Sequence, residues 1–425
     1  MAPVADAAAP PRALRENLTL MATHEKKLEL VRSPAPKPGK GQALVHVRAT
    51  GVCGSAARSR HQCARSSSVC HAPRARRART QRRASSARAQ GSASSGSSAT
   101  DSCASDVHFW QHAGLGPWKI CDKTALGHES GGEVIAVGEG VTNVKVGDRV
   151  AIEPGVPCGK ATCNFCLTGQ YNLCPTVDFY SVPPMDGTLT RYHVHPAGWL
   201  HKVPDSMSYA EIALLEPLSV CLHGTLRAEL RLGMPVLITG AGPIGVVQLL
   251  CAQASGCSPI VITDLSQERL AFAKGLVPSV HTYTVDTKKE AQETAREIVE
   301  LFTSVADMGV EVMPAVTMEC TGVESSIAVA GYATASAGLV FVIGVGKSHI
   351  NIPFMEFSTR EVSLKFLFRY RDTWPRAIRL VAGGVLDIKR IVTRTFPLEQ
   401  AKEAVEHSAD RSTFSVKTLI IDESD

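Results

Sequence analysis

The chain has 425 residues, 44% hydrophobic and 20% charged, with 45 Lys and Arg against 40 Asp and Glu for a net charge of +5. This is a soluble composition, long enough for two or three domains that each bury a core without staples. No apolar run reaches about 18 residues and the opening MAPVADAAAPPRALRENL lacks a continuous apolar stretch, so neither a membrane span nor a secretory leader is expected; a cytoplasmic location is, with the thirteen cysteines reduced or metal-bound.

Residues 1–16, rich in Ala and Pro, read as a flexible tail. The apolar stretch Ala43–Thr50 then runs into Gly51-Val52-Cys53-Gly54-Ser55. From Ala56 to Ser105 the character changes: Ala, Ser and Arg dominate, and Val69 is the one aliphatic residue larger than Ala. Such a segment cannot bury enough apolar surface to offset its chain entropy, so disorder is expected. Three readings stand, in this order: an intron or gene-model error translated in frame, a genuine disordered insertion, and a basic module for nucleic acid or an anionic surface. His61, Cys63, Cys70, His71 and Cys103 inside it read as incidental. The segment holds ten Arg and one Asp, leaving 35 basic and 39 acidic residues elsewhere, a mildly acidic body that argues against a nucleic-acid partner. Excising it joins Cys53-Gly54-Ser55 directly to Asp106-Val107-His108-Phe109-Trp110.

Further along, Leu126-Gly127-His128-Glu129-Ser130-Gly131-Gly132 sets an imidazole beside a carboxylate. Cys158, Cys163, Cys166 and Cys174 fall within seventeen residues among glycines and polar neighbours. Four thiolates in a reducing compartment suit a closed tetrahedral Zn²⁺ site that clips a loop. Glu216 stands in Leu214-Leu215-Glu216-Pro217-Leu218-Ser219. Singly, Cys53, His128 and Glu216 are ordinary structural residues; together with Glu129 they form a thiolate, imidazole and carboxylate set able to hold Zn²⁺ with a place left open.

The run Met234–Thr239 reads as a buried strand, Gly240-Ala241-Gly242-Pro243-Ile244-Gly245 as a glycine turn, and Val246–Ala252 as a helix. This is G-x-G-x-x-G between strand and helix, with the helix N-terminus facing a pyrophosphate. A second strand, Pro259–Thr263, ends at Asp264, 24 positions after Gly240. A carboxylate there accepts from ribose hydroxyls and repels a 2′-phosphate, and Leu265 follows rather than an Arg, so NAD is expected over NADP. Strands at Val316–Cys320 and Leu339–Ile343 with helical stretches between them complete an α/β, doubly wound parallel sheet, placed at 217–368.

Taken together, the Gly-Val-Cys-Gly-Ser and Asp-Val-His-Phe-Trp halves, Gly-His-Glu-Ser-Gly-Gly-Glu-Val, Val-Gly-Asp-Arg-Val, the cysteine cluster, Glu-Pro-Leu-Ser-Val and Gly-Ala-Gly-Pro-Ile-Gly resemble the zinc-dependent medium-chain dehydrogenases. Glu129 after His128, Val342–Lys347 and Phe368-Arg369-Tyr370-Arg371-Asp372-Thr373-Trp374-Pro375 are similar to the polyol branch, whose members act on sorbitol, xylitol and L-arabinitol. The resemblance covers about 17–424 without 56–105. It implies a Rossmann domain inserted in a GroES-like, β-rich catalytic domain built from 17–216 and 369–425.

The resemblance also implies roles. Cys53, His128 and Glu129 hold the catalytic zinc, with Glu216 a fourth or water-bridged ligand, and Cys158, Cys163, Cys166 and Cys174 hold a structural zinc. Asp264, Arg269 and Ile343 line the cofactor site with the glycine turn, and Arg369 touches cofactor or substrate. Phe109 and Tyr370 face the substrate; Phe at 109 tilts the choice toward L-arabinitol. A proton leaves through a serine hydroxyl and His108, and a hydride passes to nicotinamide C4. A homotetramer is the family habit.

Two departures bear on these roles. The insertion leaves Ser55 and Ser105 as rival relay residues, and the cysteine spacing is C-x4-C where the family has two residues between the first pair, which puts Cys158 in question. Xylitol, D-sorbitol and galactitol are neighbouring alternatives. A zinc-free quinone reductase would lack both metal sets. A non-catalytic NAD-binding protein follows if the insertion displaces Cys53, since a shift near 1 Å can cost about a hundredfold in rate.

Overall fold

The structure, a computed structural model, describes residues 14–54, 106–115, 118–410 and 412–424. Ser55, Ser105, the 56–105 segment between them and the tail up to residue 13 lie outside these residues.

The eleven-residue strand Gln42–Val52 is the axis of the first body, and most of its residues are buried. It pairs antiparallel with Glu129–Val137, with Lys417–Ile421 and with Tyr192–Pro196. Arg149–Ile152 and Leu200–Lys202 extend the sheet on one side and Val392–Pro397 on the other, making seven strands. Ala43, Val45, Val47, Val134, Val150 and Ile152 fill one apolar cluster inside it. A three-stranded sheet of Leu28–Ser33, Asn17–Thr23 and Lys123–Ala125 packs alongside. The C-terminal strand Lys417–Ile421 thus pairs with Gln42–Val52, and the first body is assembled from both ends of the chain.

The second body is a six-stranded parallel sheet in the order His281–Thr284, Ile260–Asp264, Val236–Thr239, Val316–Glu319, Leu339–Val342, Ser363–Phe366. Counted along the chain this is 3-2-1-4-5-6, the doubly wound order whose ligand crevice lies where the winding reverses. The four inner strands are largely buried on both faces because helices cover both. Ile238 and Ile262 point into one cluster with Val246 and Leu249 of the helix Pro243–Ala254, while Leu237 and Val261 point into another with Ile298 and Phe302 of Ala291–Ala306. The expected α/β architecture, a Rossmann sheet inserted in a β-rich domain, is therefore the one the chain adopts.

Element boundaries differ from the sequence reading by one to three residues, for instance Ile260–Asp264 for Pro259–Thr263 and Leu339–Val342 for Leu339–Ile343. Met234 and Pro235 precede their strand, which runs Val236–Thr239. The helix after the glycine turn begins at Pro243, not Val246, with Gly242 as its N-cap. Pro suits the first helical position because its missing N–H has no partner there anyway. The strand that starts at Val316 ends at Glu319, one residue early, because Glu319 turns the chain through its own hydrogen bonds.

Candidate active site

Cys53 directly follows the strand Gln42–Val52, and Glu129 opens the strand paired with it, with Gly51 and Glu129 opposite in register. A Cβ at Gly51 would lie 2.0 Å from Glu129 Oε2, so glycine at 51 is what gives the carboxylate its room. The Cys53 sulfur, a His128 ring nitrogen and a Glu129 carboxylate oxygen all lie within 4.8 Å of one another. His128 and Glu129 are buried and Cys53 is partly open, so three donors converge from the protein and one side faces outward. A thiolate, an imidazole and a carboxylate in that arrangement fit a zinc site with an exchangeable position.

Glu216 is outside this close group. It sits in the first turn of the helix Leu215–Arg227, whose preceding turn is fixed by a capping box between Ser208 and Glu211. Burial pushes its carboxyl up to about 7; His128 opposes the rise, Glu129 adds to it, and Lys417 and the Tyr370 hydroxyl oppose it. It therefore stands near enough to feel the donor set without joining it. The same helix passes Ile343 at Gly224, where a Cβ would be 2.9 Å from Ile343 Cδ1. One helix thus joins the donor set to the end of a Rossmann strand.

Two buried charges behind the donors were not legible as functional. Asp106 has no exposed surface. Its Oδ2 accepts from the Cys53 N–H at 3.0 Å, its Oδ1 accepts from the Gly127 N–H at 2.8 Å, and Oδ1 lies 3.6 Å from His128 Nδ1. One carboxylate thereby sets the backbone of the turns at Cys53 and Gly127 and the imidazole itself. Burial works against a charged His128, but Asp106 and then Cys53 outweigh it and hold the ring well above its usual value. Lys417, buried in the C-terminal strand, pairs with Glu129 Oε2 and donates to the Val52 carbonyl at 3.1 Å.

The proton-relay candidate His108 is on the short helix Asp106–His112, its ring centroid 4.4 Å from that of His112. Burial, then His112 and Lys119, push it down to about 4, so it is neutral near pH 7 and able to pass a proton on. Its expected partner Ser55 is outside the described residues. Phe109, expected to face the substrate, is instead fully buried in an apolar cluster with Leu126, Phe179 and Leu189, so its ring has no open face. The Arg369 guanidinium lies 3.7 Å over the Phe179 ring, and Phe179 is 5.8 Å from the His128 ring. Tyr370 is buried, with its hydroxyl toward Glu216.

All four sulfurs of Cys158, Cys163, Cys166 and Cys174 also lie within 4.8 Å of one another. Cys158 Sγ is 3.8 Å from Cys166 Sγ, and Cys163 Sγ is 3.9 Å from Cys174 Sγ. A tetrahedron with Zn–S bonds of about 2.3 Å has edges of about 3.8 Å. The set therefore fits a closed zinc site, and the four-residue gap after Cys158 does not keep that sulfur away.

In the cofactor crevice Gly240 has φ +92, and a Cβ at Gly245 would lie 1.7 Å from the Gly240 carbonyl oxygen. The turn and the helix start can meet only without side chains there. Asp264 accepts from the Ala241 N–H at 2.7 Å and from the Ser266 N–H at 2.9 Å, which fixes it across the glycine turn. Arg269 Nη1 comes within 4.0 Å of the space beside Gly242. Glu319, unremarked in the sequence, is fully buried and accepts from the Thr321 and Gly322 N–H groups, each at 2.9 Å, and from Thr239 Oγ1 at 3.1 Å. It ties together two strand ends that border the crevice.

Comparison with known proteins agrees with this geometry. Residues 97–205 match the alcohol dehydrogenase GroES-like domain and residues 243–383 match the zinc-binding dehydrogenase family. The chain is 54% identical over 318 residues to L-arabinitol 4-dehydrogenase of Hypocrea jecorina, covering 75% of this chain and 82% of that one. It is 38% identical over 392 residues to sorbitol dehydrogenase of Gallus gallus, covering 92% and 93%. Among solved structures, an Escherichia coli oxidoreductase/dehydrogenase of unknown specificity superposes with a TM-score of 0.76 at 27% identity, over 96% of this chain and all of that one. L-idonate 5-dehydrogenase of Escherichia coli, at 22% identity and a TM-score of 0.73 over 96% and 98%, shares the fold.

Proposed function

The chain belongs to the zinc-binding medium-chain dehydrogenases, and from that premise we propose that it oxidises a secondary carbinol of an open-chain polyol, L-arabinitol favoured, to a ketose with NAD⁺ as hydride acceptor. The observation that carries this reading is the convergence of Cys53, His128 and Glu129 beside a helix that reaches the Rossmann strand end at Ile343. A zinc ion held by that set supplies Lewis-acid polarisation of the carbinol oxygen. Around it the protein's residues do the rest. Glu216, buried in the first turn of the adjoining helix, stands near the donor set; neutral His108 takes the proton toward solvent; Tyr370 and Arg369 orient the remaining hydroxyls.

The preference for NAD⁺ over NADP⁺ is supported by Asp264, whose carboxylate is anchored at its strand end by the Ala241 and Ser266 N–H groups; a carboxylate at that strand end accepts from ribose hydroxyls and repels a 2′-phosphate. The structural-zinc role of the four cysteines is supported by their sulfur spacing. A homotetramer and a cytoplasmic location belong to the same proposal; no helix among the described residues is long and apolar enough to cross a membrane.

The test is NAD⁺ and NADP⁺ reduction by the zinc-replete protein over a panel of pentitols and hexitols. L-arabinitol is expected to give the highest kcat/KM, with NAD⁺ preferred at least about a hundredfold, the scale set by about 3 kcal/mol of charge repulsion. Preference for xylitol, D-sorbitol or galactitol would move the substrate within the class. No turnover of any polyol would refute the reading.

A further inference from the structure

The segment Phe368–Trp374 carries Arg369 and Tyr370, yet its own backbone gives it little support. Arg369 and Asp372 both adopt φ +55, the left-handed region that non-glycine residues disfavour by about 1 kcal/mol or more each. Something outside the segment must hold it. The residues that hydrogen-bond it lie on one neighbouring lobe, residues 153–179, which contains all four clustered cysteines.

The contacts fall on both flanks of Arg369 and Tyr370. Asn172 Nδ2 donates to the Phe368 carbonyl at 2.8 Å. The Tyr171 hydroxyl accepts from the Asp372 N–H at 3.0 Å and donates to Glu153 Oε1 at 2.8 Å. Glu153, 1% exposed, uses its other oxygen on His201 Nε2 at 2.7 Å. The His201 ring in turn stacks on Trp374, 4° from parallel with centroids 5.3 Å apart. At the base of the lobe Phe179 lies under the Arg369 guanidinium at 3.7 Å. Tyr171 and Asn172 belong to the short helical turn Tyr171–Leu173, between Cys166 and Cys174. The turn's placement is thus set by the cysteine cluster on both sides of it.

We propose that the four-cysteine lobe is a positioning element for the active site, acting through Tyr171 and Asn172, which latch Phe368–Trp374 so that Arg369 and Tyr370 face cofactor and substrate. This goes beyond a clip that merely stabilises a loop. It rests on the proposed polyol reading for its kinetic arm only. Tyr171 and Asn172 are positioning residues; they touch neither substrate nor the reacting atoms.

The test uses the full chain and two variants, Tyr171→Phe and Asn172→Ala. Phe keeps the ring and removes the hydroxyl that serves both Glu153 and Asp372. Amide hydrogen exchange across 368–374 reads the latch without any substrate, and the Asp372 amide is expected to exchange at least about tenfold faster in Tyr171→Phe while the Rossmann strands keep their protection. Steady-state kinetics are expected to show KM for the polyol raised roughly five- to tenfold, with kcat within about twofold, the signature of lost uniform binding. Zinc per chain is expected to match the unaltered protein in both variants. Unchanged exchange at 368–374 in both variants overturns the latch. Faster exchange with unchanged KM overturns its service to the active site, and activity falling in step with zinc content assigns the effect to metal loss and overturns it too. If Tyr171→Phe fails to fold, Asn172→Ala, which removes the Phe368 tether alone, decides by the same readings. A parent protein inactive on every polyol sinks the functional reading and leaves the exchange arm standing.

Discussion

At the scale of single residues, the site is held by charges one step behind the donors. Asp106 and Lys417 are buried and spend their charge on Cys53, Gly127, His128 and Glu129. Partners of this kind fix the orientation of metal ligands, and their loss typically costs 10- to 100-fold in metal affinity. Lys417→Met is therefore expected to lower zinc affinity by about that factor, measured by competition with a chromophoric chelator. Unaltered affinity would show that Glu129 needs no cation behind it. Neither residue could be assigned from sequence for a plain reason. Asp106 lies 53 positions from Cys53 and 21 from Gly127, so its work is entirely tertiary. Lys417 did leave one trace, a charged residue at the head of the apolar run Thr418–Ile421, where alternation alone cannot tell an anchor from an edge. The donors themselves were legible because their motifs hold the glycines that crowding requires, Gly51 above all.

At the scale of elements, what burial dictates was readable and what exposure permits was not. The four inner Rossmann strands are apolar runs covered on both faces and could be placed to within two residues. The two edge strands, His281–Thr284 and Ser363–Phe366, alternate or are largely exposed and carry no such signal. The return of the C-terminal segment to the first body was expected only through the family resemblance; residue pattern alone does not show it, because its fastener is a buried charge cluster drawn from three distant segments. Asp422 Oδ2 lies 3.0 Å from His46 Nε2 and accepts from Arg191 Nε at 2.9 Å. Burial alone would raise the Asp422 carboxyl; hydrogen bonds from His46, Ser424 and Arg191 outweigh it and hold the group well below its usual 3.8. A carboxyl depressed on folding contributes stability that is complete above its unfolded value and disappears as pH falls toward the folded one. Asp422→Asn should cost about 3 kcal/mol near pH 7, as broken buried pairs do. In urea unfolding the gap between parent and variant should hold from pH 7 to about pH 5 and shrink below about pH 4. A gap that persists at low pH, or none at pH 7, would show that the cluster does not fasten the strand electrostatically.

At the scale of the whole molecule, the question is how a chain interrupted two residues after Cys53 still brings the donor set together. The two flanks of the interruption meet. The Val107 N–H donates to the Cys53 carbonyl at 3.3 Å while Asp106 accepts from the Cys53 N–H at 3.0 Å. The chain thus leaves at Gly54 and returns at Asp106 next to its point of exit, and residues just after the interruption hold the Cys53 backbone on both its N–H and its carbonyl. Lengthening a loop between fixed ends costs only about 0.6 kcal/mol per doubling, so fifty added residues weigh about 2–3 kcal/mol against folding. That is a tax on stability and not on geometry. The full chain and a version joining Ser55 to Asp106 should accordingly bind equal zinc per chain and differ in kcat/KM by less than about threefold. The shortened form should unfold a few degrees higher, as a gain of that size implies for a chain this large. Zinc bound at the Cys53 set by the shortened form alone, with the full chain inert, would show that the excursion pulls Cys53 from its partners and that the polypeptide as written binds nucleotide without catalysis.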